Sequence, residues 1–260
     1  MSLRLSTKLN ILSIYIIILS FIIIEQSFVN CQFKCIHDSI KHKTKKRKGS
    51  SPKSQRQTAI TTPRKMEILY DLSELKAYEG TKSDTYITYI ETSIKESIKV
   101  LSNIISMPKN LESYKNIAAD LDVCNVAHYE EKYTKTTSFD LLIYPVFSSD
   151  MQEGAVAVST VCVTFEDDSR PIVGSLIINS NFNYTTTKQE SFSTIVLHEL
   201  IHILGFSTDY FTGNQRVIKR TVNGVQKPFL GGPKLISAAS HHFNCTDFYG
   251  VELEDDNGMV

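Results

Sequence analysis

Hydrophobic residues recur at helical spacing in one long stretch of the chain, residues 86–107. The apolar positions lie three or four residues apart: Ile87, Ile90, Ile94, Ile98, Leu101 and Ile105. This spacing places them on one face of a helix. Pro108 ends the pattern, because proline is poorly tolerated inside a helix. The sequence therefore predicts an amphipathic helix over residues 86–107.

Four shorter apolar runs are typical of buried strands. They cover residues 65–72, 139–147, 155–165 and 171–179. The four residues Thr187-Lys188-Gln189-Glu190 have the form of a capping box, which predicts that a second long helix follows directly. From Gly213 onward the chain is expected to be rich in loops. Because strands precede and surround two long helices, the predicted fold class is α+β.

The second helix carries the residues that point most directly to a chemistry. Residues 195–206 read Ile-Val-Leu-His-Glu-Leu-Ile-His-Ile-Leu-Gly-Phe, which contains the pattern HExxHxxG. On a helix, His198 and His202 project from the same face because they lie four residues apart. Two imidazoles there can hold one Zn²⁺, and Glu199 beside them can act on a water molecule. The alternative is an amphipathic helix with an accidental match, but burying these polar groups without partners would be costly.

Composition and charge exclude few classes of function, but they identify one unusual segment. The 260 residues allow one or two small domains, and the net charge of +0 gives no reason to expect nucleic-acid binding. A basic run covers residues 41–48, and sequence containing Ser and Pro follows to Pro63. Such a run is expected to be solvated and disordered. A nuclear-type signal is the alternative, which the N-terminus disfavours.

The first residues have the organisation of a targeting segment. Arg4 and Lys8 precede a mostly apolar run over residues 11–24, which fits a secretory signal peptide. The run is shorter than the roughly 18–20 residues of a membrane-spanning helix. A signal anchor stays open, because no A-x-A cleavage site is evident. Either reading places the protein in the secretory route, secreted or at the cell surface, with five cysteines able to pair. Retention of the apolar segment would add membrane association.

Several short motifs follow one another in a fixed order, at residues 140–144, 160–162, 170–174, 198–207, 233–234, 242–245 and 250–254. Together they resemble the leishmanolysins, which are surface and secreted zinc metalloproteases of the metzincin clan. The resemblance begins at about Glu67 and continues to the end of the chain. It implies a metzincin-like N-terminal subdomain with a twisted mixed sheet, a long backing helix and the HExxH helix. It also implies a metalloendopeptidase that acts on peptide or protein substrates, with His198 and His202 binding one Zn²⁺ and Glu199 as the general base.

The resemblance also predicts a domain organisation. Residues 1–31 are the signal peptide or anchor, and residues 32–65 are a pro-segment and basic linker. Residues 66–210 form the catalytic N-terminal subdomain, and residues 211–260 an incomplete following subdomain. The strand around residues 174–179 is expected to offer backbone groups to an extended peptide substrate.

The cysteines receive specific roles from the same resemblance. Cys35, within Cys-Ile-His-Asp, resembles a pro-segment cysteine thought to ligate zinc in the latent enzyme, although Phe33 stands where that motif usually has His. The alternative is that Cys35 pairs with Cys31 or is unpaired. The family pattern predicts a disulfide between Cys124 and Cys162. Cys245 is then expected to lack a partner.

The third zinc ligand is the weak point of this interpretation. A catalytic zinc site uses three protein ligands and an open position. Thr208 stands where the ordinary metzincin pattern has its third His. In leishmanolysins that His follows a motif that corresponds here to residues 250–254, and this sequence stops at Val260. The expectation is a truncated family member or a degenerate paralogue.

Two alternatives remain open at this point. His241 or His242 is a substitute ligand in one, which is disfavoured because His242 fits the ordinary His-Phe pair of the family. The other is a catalytically inert surface or adhesion glycoprotein on the same fold. Asn183 and Asn244 are sequons for N-glycosylation, in sequence that resembles loops.

Overall fold

The computed structural model describes twelve segments of the chain. They are residues 44–47, 63–78, 83–108, 123–135, 137–152, 154–166, 169–182, 187–207, 210–211, 216–222, 224–245 and 249–253. Among the described residues, those up to Leu204 form one compact unit and those from Gly205 onward form another. The first unit therefore contains the HExxH motif, and it ends six residues before the boundary expected from the sequence.

Ten strands and five helices occur in the described part. The strands are β1 (Lys45–Arg47), β2 (Arg64–Lys65), β3 (Ile68–Tyr70), β4 (Ser106–Met107), β5 (Leu141–Ser148), β6 (Ala157–Phe165), β7 (Pro171–Asn179), β8 (Val217–Val222), β9 (Val225–Leu230) and β10 (Val251–Glu252). The helices are α1 (Ser73–Ala77), α2 (Asp84–Ile104), α3 (Glu131–Lys135), α4 (Gln189–Ile203) and α5 (Pro233–Phe243). The α+β class is confirmed.

A five-stranded mixed sheet is the framework of the first unit. Its order is β1-β6-β7-β5-β3, with β3, β5 and β7 parallel to one another and β6 antiparallel to β7. The central strands β5, β6 and β7 have near-continuous apolar sequences, as strands covered on both faces do. Residues 141–144 at the start of β5 are 0% exposed. The three runs predicted as strands at 139–147, 155–165 and 171–179 are confirmed.

Helix α2 packs against α4. The centre of its apolar stripe is fully buried, with Ile90 and Ile94 at 0% exposure and Leu101 at 1%. Ser97 Oγ donates to the Ser193 carbonyl of α4 over 2.8 Å. The predicted end of α2 is wrong by three residues, because Ser106 and Met107 form β4 and pair with β2. The predicted backing helix is present.

The start of α4 does not use the predicted capping box. Lys188 is the N-cap residue and no side chain caps the helix. Instead, Gln189 Nε2 donates to the Tyr89 carbonyl of α2 over 3.1 Å and to Ser93 Oγ over 2.5 Å. Tertiary contact with α2 therefore takes the place of the local cap.

The disulfide between Cys124 and Cys162 is present, with its Cα atoms 5.3 Å apart. It joins the segment before α3 to the middle of β6, at a bulge in the pairing of β6 with β7. Both sulfurs lie in a buried cluster that includes Phe139, Tyr144 and Ile172. The bond therefore fixes an irregular segment to the sheet. Cys245 is free and exposed.

The predicted linker, residues 32–65, contains two ordered pieces. The basic run was expected to be disordered, but Lys45–Arg47 forms β1 and pairs in parallel with β6. Arg64 and Lys65 form β2. Arg64 Nη1 and Nη2 donate to the two carboxylate oxygens of Asp140 at 2.5 and 2.6 Å, and the carboxylate is 0% exposed. Strand pairing and this ion pair are long-range contacts that composition does not reveal.

The second unit is more regular than the loop-rich region expected after Gly213. Strands β8 and β9 form an antiparallel hairpin, and β10 pairs with β9. Val222 pairs with Val225, so Asn-Gly is the two-residue connection, and Gly224 has a φ of 83°. Asn-Gly is a strong local signal for such a turn. The helix α5 follows, with Pro233 in its first turn.

No helix in the described segments has the length and apolarity needed to cross a membrane. The predicted signal peptide or anchor, residues 1–31, lies outside the described residues. Its prediction therefore stays a prediction.

Candidate active site

Helix α4 presents its two histidines on one face, as their spacing predicts. The Nε2 atoms of His198 and His202 are 2.9 Å apart, and their ring centroids are 4.6 Å apart. His202 is buried at 6% exposure, and His198 is half-buried. Two nitrogen atoms that converge in this way can share a single ion after a small rotation of the rings, since nitrogen ligands of one tetrahedral zinc lie roughly 3.4 Å apart.

Glu199 lies between these histidines in sequence, and only 4% of its surface is exposed to solvent. Burial raises the pKa of Glu199 to about 8, while hydrogen bonding with Ser159 acts in the opposite direction. Its Oε2 has no hydrogen-bond partner among the described residues. A buried carboxyl oxygen with unused hydrogen-bonding capacity, on the residue that directly follows His198, fits a site that takes a metal ion and a water molecule.

Strand β6 holds α4 at the level of the motif. Ser159 Oγ donates to the backbone carbonyl of Glu199 over 2.8 Å, and Ser159 is 0% exposed. Sequence reasoning did not identify this residue. The available signal is a serine in a strand whose other residues are apolar or threonine, since a hydroxyl buried there needs a specific partner.

A glycine in β7 sets how closely α4 approaches the sheet. A Cβ atom placed on Gly174 would lie 2.6 Å from Cγ2 and 2.9 Å from Cδ1 of Ile203. Ile203 directly follows His202 and is 0% exposed. The helix that carries the histidines therefore packs on bare backbone at this point, which explains why the Arg-Pro-x-x-Gly motif ends in glycine.

The strand that the sequence predicts as the peptide-binding strand has no free edge. Residues 174–179 belong to β7, which is hydrogen-bonded to β5 on one side and to β6 on the other. Its backbone groups are already used by the sheet, so that prediction is wrong. Beyond β7, the outer side of β6 is the sheet edge next to α4, and β1 pairs with part of it.

Comparison with known proteins agrees with this arrangement. The family model described as Leishmanolysin matches residues 80–260, well over half of the chain. The chain belongs to the leishmanolysin family. It is 28% identical over 196 residues to the leishmanolysin homolog of Crithidia fasciculata, covering 67% of this chain and 29% of that protein. It is 29% identical over 136 residues to the leishmanolysin of Leishmania tropica, covering 51% of this chain and 20% of that protein.

The matched part is thus a fifth to three tenths of these relatives' length. The leishmanolysin of Leishmania major is similar in the same way, at 29% identity over 136 residues, with 51% of this chain and 21% of that protein covered. The residues that the family model matches, 80–260, include the HExxH helix.

The other residues that the sequence singled out are not all brought to this site. Cys35, Asn183 and Thr208 lie outside the described residues. In the second unit, His241 and His242 lie at the exposed end of α5, and the exposed Asn244 ends that helix in a left-handed conformation. Within the described segments, no group of three or more His, Cys, Asp or Glu side chains is arranged to hold a metal.

Proposed function

We propose that this protein is a zinc-dependent metalloendopeptidase, or part of one. The observation that supports the proposal most is the 2.9 Å approach of the His198 and His202 Nε2 atoms, on a helix that also carries the buried Glu199. The activity of the longer family members is only a proposal for this chain, because the chain spans less than a third of the length of the relatives it matches.

His198 and His202 are the zinc ligands in this proposal. A bound zinc ion acidifies a water molecule and stabilises negative charge on a carbonyl oxygen. Two imidazoles supply fewer protein ligands than the three that catalytic sites use. The proposal therefore requires a third ligand from outside the described residues, and it assigns Cys35 as the inhibitory ligand of the pro-segment.

Glu199 is the proton carrier. Its Oε2 receives the proton of the attacking water and then returns it to the amine of the leaving peptide. Binding of a cation nearby would lower the pKa of Glu199 from its raised metal-free value, because an opposite charge favours the ionised carboxylate. Ser159 and Gly174 act indirectly, since they position the helix that bears these groups.

The substrate is a peptide or protein in extended conformation. A strand whose outer backbone groups are exposed can pair with such a peptide. We assign this function to the outer edge of β6, because Ser159 of that strand contacts the carbonyl of Glu199. No nucleic-acid partner is proposed.

Zinc binding and cleavage test these assignments separately. Isothermal titration of the chelator-stripped chain with ZnCl₂ should give binding that His198→Ala and His202→Ala abolish and that Glu199→Ala retains. Peptide cleavage by the protein purified from its own cells should be lost in Glu199→Ala. Zinc binding unaffected by both histidine substitutions would refute the metal assignment.

A catalytically inert surface or adhesion glycoprotein is the second candidate. The observation in its favour is that the described residues contain no group of three metal-binding side chains. The two candidates differ in one measurement, which is chelator-sensitive cleavage by the protein from its own cells. Cleavage that 1,10-phenanthroline does not inhibit, or no cleavage at all, favours the inert protein.

We further propose that the protein is secreted or displayed at the cell surface. The Cys124–Cys162 disulfide supports an oxidising compartment. Retention of residues 11–24 would give membrane association. Cell fractionation locates the protein, and a mass shift after glycosidase treatment tests Asn183 and Asn244 as glycosylation sites.

A further inference from the structure

A cavity of about 650 Å³ lies at the carboxyl ends of the parallel strands β5 and β7, and no residue of the HExxH motif lines it. Val146, Phe147 and Ser148, the last three residues of β5, form its floor together with Ile177 of β7. The carboxyl ends of parallel strands are a common place for ligand sites, whose volumes are roughly 300–1,000 Å³. The cavity therefore has the position and the size of a small-molecule site.

The floor of this cavity and the HExxH helix use opposite faces of the sheet. Gly174 of β7 packs against Ile203 of α4. Successive residues of a strand point to opposite faces, so Ser175 and Ile177 point away from α4. Ser175 Oγ accordingly donates to the Cys124 carbonyl, on the side of the disulfide. A ligand that rests on Ile177 would therefore lie across the sheet from the helix that carries the histidines.

Two segments that are bonded to each other form the walls of the cavity. One is α1 with its C-cap residue, which contributes Glu74 and Tyr78, and the other is the segment after Cys124, which contributes His128. The backbone N–H groups of Ala127 and His128 donate to Glu74 Oε2 over 3.2 and 2.6 Å. The disulfide joins the second segment to β6. The walls are therefore fixed in place before any ligand binds.

The charge of the cavity comes from Glu74. Among the nine described residues that line the cavity, it is the only Asp, Glu, Lys or Arg. Its side chain is 19% exposed, and its contacts with described residues, including His128 Nδ1 at 3.2 Å, all use Oε2. Oε1 is therefore the oxygen that can accept a hydrogen bond from a ligand. A half-buried carboxylate favours a cationic donor.

The rest of the lining suits an apolar stem that ends in a planar cation. Val146 and Ile177 contribute aliphatic surface, and Tyr78 contributes an aromatic ring. The ring centroid of Tyr78 lies 5.1 Å from that of Phe147, and its hydroxyl donates to Ser180 Oγ over 3.3 Å. Aromatic rings attract cations, and guanidinium groups stack on them particularly well. An arginine side chain combines such a group with an apolar stem.

We propose that this cavity binds a guanidinium group on an apolar stem, with Glu74 Oε1 as its counter-ion and Val146 and Ile177 in contact with the stem. The same chemistry is present in an arginine side chain of a bound protein and in a free alkylguanidine. The inference goes beyond the proposed function and does not depend on the metal site. It assigns a ligand to the face of the sheet that the HExxH helix does not use.

The test measures binding to the full chain in EDTA by two-dimensional ¹H–¹⁵N NMR, at about pH 7.5, where imidazoles of ordinary pKa are mostly uncharged. The probe is N-acetyl-arginine N-methylamide. Its matched ligand is N-acetyl-citrulline N-methylamide, which has nearly the same shape but no charge. The amides of Ala127 and His128, which donate to Glu74, should shift on addition of the arginine compound. The citrulline compound should bind at least tenfold more weakly.

Two variants test the site by independent means. Glu74→Gln removes the charge but keeps an oxygen that can accept from Ala127 and His128, and it should weaken binding of the arginine compound at least tenfold. Ala77→Phe fills the cavity without a change of charge and should have the same effect. Glu67→Gln is the matched control, because Glu67 is an exposed carboxylate of the same unit that does not line the cavity. Its affinity should be unchanged.

Several outcomes would overturn the proposal. They are equal binding of the arginine and citrulline compounds, unchanged affinity in Glu74→Gln, an equal loss in Glu67→Gln, or no shift of these amides at the solubility limit of the probe. If Ala77→Phe does not fold, the comparison of Glu74→Gln with Glu67→Gln decides.

Two further ligands identify the source of the guanidinium group. Tighter binding of N-acetyl-Ala-Arg-Ala N-methylamide than of butylguanidine supports an arginine of a bound protein, and the reverse order supports a free alkylguanidine. Failure of the proposed function has a different signature, since zinc titrations and cleavage assays would then be negative while these shifts in EDTA remain. If only the cavity proposal fails, zinc binding still depends on His198 and His202.

Discussion

Addition of a single methyl group to Gly174 should separate the HExxH helix from the sheet. The new Cβ would lie 2.6 Å from Ile203 Cγ2, whereas carbon atoms in ordinary contact are about 3.5–4.0 Å apart. Ile203 cannot easily turn away, because it is β-branched and fully buried. The helix must therefore move by about 1 Å at this point to restore ordinary contact.

The expected cost follows from two opposing effects. Overpacking of a filled core typically costs about 1–3 kcal/mol. Replacing glycine by alanine in a strand recovers about 0.5–1 kcal/mol. Gly174→Ala should therefore lower the free energy of unfolding by about 1–2 kcal/mol. It should also weaken zinc binding, because Ile203 is bonded to His202.

A double-mutant cycle with Ile203→Ala isolates the contact. Ile203→Ala alone should cost about 2–5 kcal/mol, because it leaves a cavity. In that background Gly174→Ala should be neutral or stabilising, since the γ and δ carbons are gone. The coupling energy should be roughly 2 kcal/mol, at the upper part of the usual range.

Urea unfolding of the chain in EDTA provides the measurement. Circular dichroism is the appropriate signal, because the chain contains no Trp. Equal denaturant slopes in all four variants would show that only the native packing has changed. The same penalty for Gly174→Ala in both backgrounds, or none in either, would refute this account of the glycine.

Three further predictions concern other parts of the first unit. Asp140→Asn should lower the free energy of unfolding in urea by about 2–4 kcal/mol, because it removes the charge that pairs with Arg64. A loss below about 0.5 kcal/mol would contradict the pairing. In the metal-free protein, stability should fall by roughly 3–5 kcal/mol as pH rises from 4.5 to about 8, because Glu199 ionises first in the unfolded chain. Glu199→Gln should flatten this profile, and an unchanged profile would assign it to other groups. Cys124→Ser should cost about 3–4 kcal/mol, as expected for a bond that spans 38 residues, and this loss should vanish when both proteins are measured reduced.

The parts of the fold that depend on local sequence were predicted well. The apolar spacing of α2 lies within one segment, and the i, i+4 spacing of His198 and His202 needs only a helix to bring the rings together. The end of α2 at Ile104 was missed because Ser106 and Met107 pair with a strand about forty residues earlier. Long-range pairing of this kind leaves no periodic pattern in the sequence.

The support of the site depended on contacts that sequence alone does not specify. Ser159 is one polar residue among many, and only the approach of α4 gives it a partner. The motif glycine was recognised by resemblance, but its physical reason is a side chain 29 residues later. The strand β1 was missed because its basic composition is typical of disorder, whereas its pairing uses backbone groups.

The ion pair between Arg64 and Asp140 would limit where the chain can be cut without loss of the fold. Arg64 and Lys65 form a dibasic pair, which proteases with a preference for basic residues can cleave. Cleavage between the two residues would place the guanidinium and its fully buried carboxylate on separate fragments. An unpaired buried charge strongly destabilises a fold. We therefore expect any maturation cut that preserves the fold to fall before Arg64, so that this residue would fasten the new N-terminal end to the sheet through Asp140.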